Sequence, residues 1–368
     1  MSAIRHVLGI SGGKDSAALA IYLKNLYPSL EIDYYSSDTG KELDETYKLV
    51  DNLQIYLEKK ITILKGAEGS PLASFDHFLK IYGGYLPSTQ ARWCTKKLKL
   101  EPFEKYVGND QVVSYVGIRG DEDREGYISR KSNIQSIFPF RQNIWSEDVI
   151  DKFLANDNID QVMSLTDKID LGERKNTFLS LLNKKIDIAY TQPQKLNQLF
   201  ATGVKEINRL VFEYLKGTNY PLGKEASFPL LENEEVIIRD DVFRILEESG
   251  VGVPNYYKKV NYTVGNQIGS YSRSRSGCYF CFYQQKIEWI WLYEQHPELF
   301  EKALEYEKDG YTWNQEESLT DIIQPERMEQ IKSDFIKRQE RANSNNKSKY
   351  LLDILDDEEG LGCASCFI

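Results

Sequence analysis

No apolar run in this 368-residue sequence approaches the roughly 18 residues that a membrane span requires. The first residues have no signal-peptide pattern, because an apolar strand pattern already begins by Ile4. The sequence has only five cysteines, an odd number that does not suit a framework of disulfides. We therefore expect a cytoplasmic protein without membrane contact, whose thiols serve metal binding or chemistry.

The chain has fewer basic than acidic residues. Lys and Arg total 46 against 56 Asp and Glu, a net charge of −10, so the overall surface does not attract nucleic acid. Basic residues nevertheless gather near the motifs, for example at Arg92, Lys96 and Lys97. This clustering is consistent with a phosphate-binding pocket or with a local nucleic-acid track on an acidic body.

Two common phosphate-binding patterns are missing near the N-terminus. A Walker A loop needs glycine where Leu8 stands and Ser or Thr where Asp15 stands. A dinucleotide Gly-x-Gly-x-x-Gly pattern fails because Gly12 and Gly13 are adjacent. The sequence instead has an apolar strand pattern, then Ser11-Gly12-Gly13-Lys14-Asp15-Ser16, then an apolar helical pattern. Two glycines, a helix N-terminus and Lys14 all favour a bound phosphate, and Ser16 suits a helix cap or a phosphate contact.

Residues 1 to 118 alternate between strand and helix patterns. The predicted strands are 4–10, 31–36, 60–64 and 112–117, and the predicted helices are 15–27, 42–58 and 96–106. Apolar strands separated by helices indicate an α/β class with a parallel sheet covered on both faces. Ligands bind such sheets at the carboxyl ends of the strands. A polar region at about 155–225, with helical patterns at 174–183 and 194–216, predicts an inserted helical subdomain.

Two further motifs follow predicted strands. Asp38, Thr39 and Gly40 end the second strand, where Asp38 suits a ribose hydroxyl or a magnesium ion. A turn or helix-capping residue is the plainer alternative for Asp38. Gly117-Ile118-Arg119 ends the fourth strand, and Arg119 there suits a contact with a nucleotide phosphate.

The cysteines fall into three groups. Cys94 lies between Arg92 and Lys96 near a predicted helix start, surroundings that stabilise a thiolate. One metal grouping is Cys94, Cys278 and Cys281 around a [4Fe–4S] cluster with one iron open. The other is zinc held by Cys278, Cys281, Cys363 and Cys366, but the spacer of about 80 residues is far longer than in compact zinc modules. Spacing thus favours the cluster over zinc, and the absence of any metal remains the third alternative.

These motifs together resemble one enzyme superfamily. The loop at 11–16 resembles the PP-loop of the ATP pyrophosphatases, which cleave ATP between its α- and β-phosphates. The segments around Asp38, Cys94 and Arg119 resemble the phosphoadenosine phosphosulfate (PAPS) reductase branch, including the PAPS reductase family proteins of bacterial and phage genomes. Residues 274–281, Ser-Arg-Ser-Gly-Cys-x-x-Cys, resemble the matching stretch of the DNA phosphorothioation ATP pyrophosphatases, which are linked to a [4Fe–4S] cluster.

The resemblance implies a Rossmann-like, adenine-nucleotide α-hydrolase-like fold. Its expected parts are a PP-loop domain at 1–150, a helical insertion at 151–227, a C-terminal helical region with the Cys-x-x-Cys at 228–345, and an acidic, Cys-containing tail at 346–368. ATP and Mg²⁺ are the implied cofactors, with 11–16 and 38–40 binding the nucleotide. The implied catalytic residues are Lys14, Asp15, Ser16 and Arg119.

Three functions are consistent with the resemblance. The first is an ATP pyrophosphatase that adenylates an acceptor for sulfur transfer, with nucleic acid, DNA before tRNA, as acceptor and a donor such as a cysteine desulfurase. The second is a PAPS or adenylylsulfate reductase, which the C-terminus disfavours. That family ends in Glu-Cys-Gly-Leu-His, whereas this chain has Gly362-Cys363-Ala364-Ser365-Cys366 and no histidine after His296. The third is a non-catalytic nucleotide-binding subunit, which the intact loop disfavours.

Overall fold

The computed structural model describes residues 4–122, 129–308 and 310–345, so Cys363, Cys366 and the acidic tail lie outside the described residues. Five strands form the central sheet: β1 (Arg5–Gly9), β2 (Ile32–Asp38), β3 (Thr62–Lys65), β4 (Val112–Tyr115) and β5 (Ile134–Ile137). All pairs are parallel, in the order β3-β2-β1-β4-β5. A separate antiparallel hairpin consists of β6 (Val260–Val264) and β7 (Gln267–Tyr271). The predicted Rossmann-like α/β class is confirmed.

Helices surround the sheet and make up most of the C-terminal half. They are α1 (Lys14–Leu26), α2 (Asp44–Leu57), α3 (Ser74–Ile81), α4 (Trp93–Thr95), α5 (Glu101–Val107), α6 (Glu147–Leu154), α7 (Ile159–Leu165), α8 (Lys175–Asn183), α9 (Gln192–Thr202), α10 (Val204–Leu215), α11 (Arg239–Glu248), α12 (Lys286–Gln295), α13 (Pro297–Leu304), α14 (Leu319–Ile322) and α15 (Pro325–Asn345). A π-helical stretch, Lys96–Leu100, joins α4 to α5. Within the described ranges, no helix is both long and apolar enough to cross a lipid bilayer.

The strand order creates a switch point beside β1. Strand β1 pairs with β2 on one side and with β4 on the other. The chain first builds β2 and β3 outward from β1, then returns and adds β4 and β5 on the opposite side. The loop after β1 and the loop after β4 therefore meet at the crevice where open parallel sheets bind ligands.

Three elements have no clear sequence signal, and one predicted helix is wrong. The patterns do not predict α3, the β6–β7 hairpin or β5, whose central residues Gln135 and Ser136 are polar yet buried. The Gln135 Oε1 atom accepts the Leu222 N–H at 3.0 Å, a distant contact that satisfies the buried amide oxygen. The helix predicted at 194–216 is two helices, because the backbone is extended at Gly203, where φ is 179°.

Among the described residues, two large apolar clusters contain most of the buried hydrophobic side chains. The first joins α1 and the sheet to α6–α11 and includes Leu19, Trp145 and Val211. The second joins α3 and α4 to the C-terminal region. In it, the Phe280 ring lies 4.5 Å from Phe75 and 4.7 Å from Trp313. This aromatic packing brings the Cys-x-x-Cys turn to the carboxyl end of β2.

Candidate functional site

The glycine-rich loop between β1 and α1 is closely covered on two sides. Gly12 has φ +71°, and a Cβ there would lie 2.2 Å from the Thr46 Cγ2 atom, so only glycine fits. A Cβ on Gly13 would lie 2.5 Å from the Ser276 Oγ atom. Helix α2 and the C-terminal loop 272–278 therefore both approach the loop backbone.

Two serines close the loop on itself. The Ser16 Oγ atom lies 3.1 Å from the Ser11 Oγ atom and accepts the Ser11 N–H at 3.2 Å. It also donates to the Gly13 carbonyl at 3.3 Å. Gly13 at the N-cap supplies no side-chain cap, so the start of α1 keeps the partial positive charge of a helix N-terminus.

Lys14 and Asp15 are buried at the start of α1. The Lys14 Nζ atom lies 3.3 Å from the Asp15 Oδ2 atom, and Arg119 Nη1 lies 2.9 Å from Asp15 Oδ1. Burial by itself raises the pKa of the Asp15 carboxyl, but the two neighbouring cations outweigh it and hold that pKa below its ordinary value. Asp15 is therefore ionised and neutralises part of the Lys14 charge.

Arg119 reaches this pair from the end of β4. Gly117 permits the approach, because a Cβ there would lie 2.9 Å from the Asp15 carbonyl oxygen. Arg119 is only 2% exposed, and its guanidinium also contacts Asp121 at 2.9 Å and Glu122 at 2.8 Å. The structure thus places Arg119 among three carboxylates, and its predicted contact with a nucleotide phosphate stays a prediction.

The residues after β2 form a turn beside the same crevice. The Asp38 Oδ1 atom accepts the Gly40 N–H at 2.8 Å and the Tyr47 hydroxyl at 3.1 Å, so Asp38 has the turn-forming role of the plainer alternative. The Thr39 hydroxyl donates to Glu42 at 2.5 Å. Asp38 is half-buried and remains a candidate for the ribose or magnesium contact.

The Cys-x-x-Cys turn reaches this segment from far along the chain. The Cys278 Sγ atom lies 3.2 Å from the Thr39 Oγ1 atom, and the backbone of Cys278 forms a bridge with Glu42. Burial, followed by the Glu42 charge, raises the pKa of the Cys278 thiol. Cys278 is therefore a protonated thiol in this arrangement.

Cys94, Cys278 and Cys281 are all half-buried and outside any disulfide. Across the part of the chain that the structure describes, no three or more His, Cys, Asp or Glu side chains are arranged to hold a metal ion. As placed, the three cysteines do not form a cluster site, and their role as iron ligands stays a prediction.

The structure adds two site residues that no sequence pattern predicts. The Tyr256 hydroxyl donates to the Gly12 carbonyl at 3.1 Å, and the Tyr257 hydroxyl accepts the Lys14 backbone N–H at 3.3 Å. The Lys14 Nζ atom also lies 5.0 Å from the centre of the Tyr257 ring. Burial raises the pKa of Tyr257 to about 12, so this hydroxyl is neutral. The chain has 24 tyrosines, and no sequence pattern distinguishes Tyr256 and Tyr257 from the others.

The arrangement is suited to binding a polyphosphate. Backbone N–H groups of the loop and the start of α1, the Lys14 ammonium and the switch-point crevice all favour an anion at one place. A magnesium ion bound to phosphates needs only one or two protein carboxylates, and Asp38 suits this role better than Asp15, which is already paired.

Comparisons with known proteins agree with this geometry. Residues 5–168 match the model of the phosphoadenosine phosphosulfate reductase domain. An uncharacterized protein of Methanocaldococcus jannaschii is 34% identical over 154 residues, which cover 38% of this chain and 30% of that protein. A second uncharacterized protein of this organism is 26% identical over 163 residues, covering 41% of this chain and 37% of its own length.

A phage protein extends the comparison. An uncharacterized nin region protein of Escherichia phage lambda is 28% identical over 145 residues, covering 32% of this chain and 49% of that protein. The chain thus spans less than half the length of each of these three relatives. No solved structure matches the chain.

Proposed function

We propose that this chain is an ATP pyrophosphatase that adenylates an acceptor for sulfur transfer, because residues 5–168 match the model of the phosphoadenosine phosphosulfate reductase domain and residues 11–16 resemble a PP-loop. The observation that carries the proposal is the position of Lys14. It follows a glycine-rich loop directly, at the N-terminus of α1 and beside the switch point between β1 and β4. A charge at this position stabilises the negative charge that develops on a departing pyrophosphate.

The reaction has two steps. An acceptor oxygen attacks the α-phosphorus of ATP, the bond between the α- and β-phosphates breaks, and pyrophosphate leaves. A sulfur nucleophile then displaces AMP from the activated acceptor. Lys14 exchanges its contact with Asp15 for one with the phosphates, while Arg119 continues to neutralise Asp15. Magnesium held near Asp38 would neutralise further phosphate charge.

The acceptor and the sulfur donor are part of the proposal. We propose nucleic acid, with DNA before tRNA, as acceptor, and a donor such as a cysteine desulfurase. The support is the resemblance of residues 274–281 to the phosphorothioation enzymes. Because the cysteines do not form a cluster site as placed, no step is derived through iron.

Product analysis of ATP turnover tests the proposal. The chain, with Mg²⁺, ATP, intact cellular DNA or tRNA as acceptor, and a cysteine desulfurase with cysteine as sulfur donor, should release pyrophosphate and AMP. Lys14→Ala should abolish the release, whereas Lys24→Ala, ten residues further along α1 and partly exposed, should retain it. ADP and orthophosphate as products would contradict the proposal. Mass spectrometry of nucleic acid from cells with and without the gene identifies the nucleotide that gains sulfur.

One observation favours a second function. The matching family model is named for PAPS reductases. A reductase would release sulfite from PAPS in the presence of a thioredoxin, and the activity would depend on Cys363 or Cys366. We expect no sulfite, because residues 362–366 read Gly-Cys-Ala-Ser-Cys, which differs from the Glu-Cys-Gly-Leu-His of the reductases.

A further inference from the structure

Arg273 is a buried cation with two unused hydrogen-bond donors. Arg273 is only 2% exposed to solvent. The Nη2 atom donates to the Cys278 carbonyl at 3.1 Å, whereas Nε and Nη1 have no partner among the described residues. Buried donors are almost always paired, and an unpaired buried charge is costly. The guanidinium is therefore poised for a group of opposite charge.

Within the described ranges, no neighbouring residue accepts a hydrogen bond from the Arg273 Nε or Nη1 atom. The Glu288 carboxylate contacts the next residue along the chain, because it accepts the N–H of Ser274 at 2.7 Å, and it also accepts the N–H of Gln285 at 2.9 Å. The Trp291 ring centre lies 6.0 Å from Arg273 Cζ, and its indole Nε1 also has no partner in the described structure. All three unused atoms are N–H donors. A group that only accepts hydrogen bonds, such as an oxyanion, matches them.

The position of Arg273 relates it to the phosphate-binding loop. Its backbone N–H donates to the Tyr256 carbonyl at 2.8 Å, and the Tyr256 hydroxyl donates to the Gly12 carbonyl. Three residues after Arg273, Ser276 lies against Gly13. The loop that carries Arg273 is thus the same loop that covers the glycines.

We propose that Arg273 binds a phosphate oxygen of the ligand held on residues 11–16, so that the anion site has two halves. One half is the N-terminal loop with Lys14, and the other is the C-terminal loop with Arg273. The ligand class is a pyrophosphate group, free or within a nucleoside triphosphate, and the identification of the nucleotide as ATP rests on the proposed function. Arg273 is a binding residue. Hydrogen bonds from its backbone N–H to Tyr256 and from Nη2 to Cys278 hold the guanidinium in place before the ligand binds.

Calorimetric titration of the full chain with inorganic pyrophosphate, ATP and AMP tests this inference. Arg273→Gln should weaken pyrophosphate and ATP binding by about tenfold or more, the usual loss for a charge-assisted hydrogen bond. Arg273→Lys keeps the charge but not the fork of donors, so its loss should be smaller. Arg244→Gln, which removes a half-exposed arginine on α11, should bind pyrophosphate as the wild type does.

Thermal melting of the same variants with and without pyrophosphate separates binding from folding. Arg273→Gln should melt near the wild-type temperature without ligand, because it removes a buried charge that lacks a counter-ion, but should lose the stabilisation by pyrophosphate. If Arg273→Gln does not fold, Arg273→Lys decides the matter by its weakened affinity.

The outcomes distinguish this inference from the proposed function. Unchanged pyrophosphate affinity in the Arg273 variants, or no binding by the wild type, overturns the inference. Pyrophosphate binding that depends on Arg273, without any cleavage of ATP to AMP, supports the inference and contradicts the proposed function. Cleavage of ATP to AMP that is insensitive to Arg273 does the reverse.

Discussion

The Arg119 Nη1 atom lies 2.9 Å from the Asp15 Oδ1 atom, which joins residues 104 positions apart in the sequence. Both side chains are buried, and the pair ties the loop after β4 to the first turn of α1. The glycine-rich loop leads directly into this first turn of α1. The ion pair therefore fixes the loop before any ligand binds, and such pre-organisation lowers the cost of stabilising charge in a reaction.

Breaking this pair should destabilise the fold strongly. Arg119→Ala leaves Asp15 buried with Lys14 as its remaining cation, and we expect a loss of about 3–5 kcal/mol in the free energy of unfolding. Arg5→Ala is the matched control, since Arg5 pairs with Asp33 and Asp110 at the surface and should cost less than about 1 kcal/mol. Urea unfolding measures both. Equal losses in the two variants would contradict the structural role of Arg119.

The stability supplied by Asp15 should depend on pH. Its pKa in the folded protein is held below the ordinary value of 3.8, so its contribution is present above that value and is lost as the pH falls through the folded pKa. The difference in unfolding free energy between the wild type and Asp15→Asn should be largest near neutral pH and should shrink below about pH 4. Urea titrations from neutral to acidic pH measure it, and a difference that grows on acidification would refute this assignment.

Tyr257 should compete with phosphate for the loop. Its hydroxyl accepts the Lys14 backbone N–H, one of the donors at the N-terminus of α1. Tyr257→Phe frees this donor, so pyrophosphate should bind several-fold more tightly, with a loss of about 1 kcal/mol in stability.

Tyr256→Phe is the control for this experiment, because the Tyr256 hydroxyl donates to the Gly12 carbonyl and so leaves the backbone N–H donors of the loop available to phosphate. Its pyrophosphate affinity should be unchanged. Weaker binding by Tyr257→Phe in calorimetry would mean that the hydroxyl itself contacts the ligand.

Metal analysis after anaerobic purification tests the cysteine assignment. The cluster prediction requires about four irons per chain. Iron should be lost in Cys94→Ser, Cys278→Ser and Cys281→Ser, and retained in Cys363→Ser. Binding would deprotonate the Cys278 thiol, whose pKa is raised in the metal-free arrangement, so iron uptake should be accompanied by proton release. The finding of one zinc per chain, lost in Cys363→Ser, would contradict the cluster prediction. It would instead support zinc held by Cys278, Cys281, Cys363 and Cys366.

The sequence by itself determined the local elements and their chemistry. Strand and helix bounds around the 11–16 loop agree with the structure within one or two residues, because apolar periodicity and glycine positions act over short distances. The alternation of these elements also determined the parallel sheet and the position of the Lys14 and Arg119 motifs at the carboxyl ends of its strands, whereas the strand order is known only from the structure.

Only the tertiary structure decided which distant residues complete the site. Tyr257 reaches Lys14 across 243 positions, and Cys278 reaches Thr39 across 239. These contacts depend on the aromatic cluster around Phe75 and Phe280, which packs the C-terminal region against α3. A sequence pattern reports the face that a segment buries, but the partner of that face depends on packing between segments. The same reason explains why Arg119, predicted as a phosphate contact, is paired with Asp15, Asp121 and Glu122.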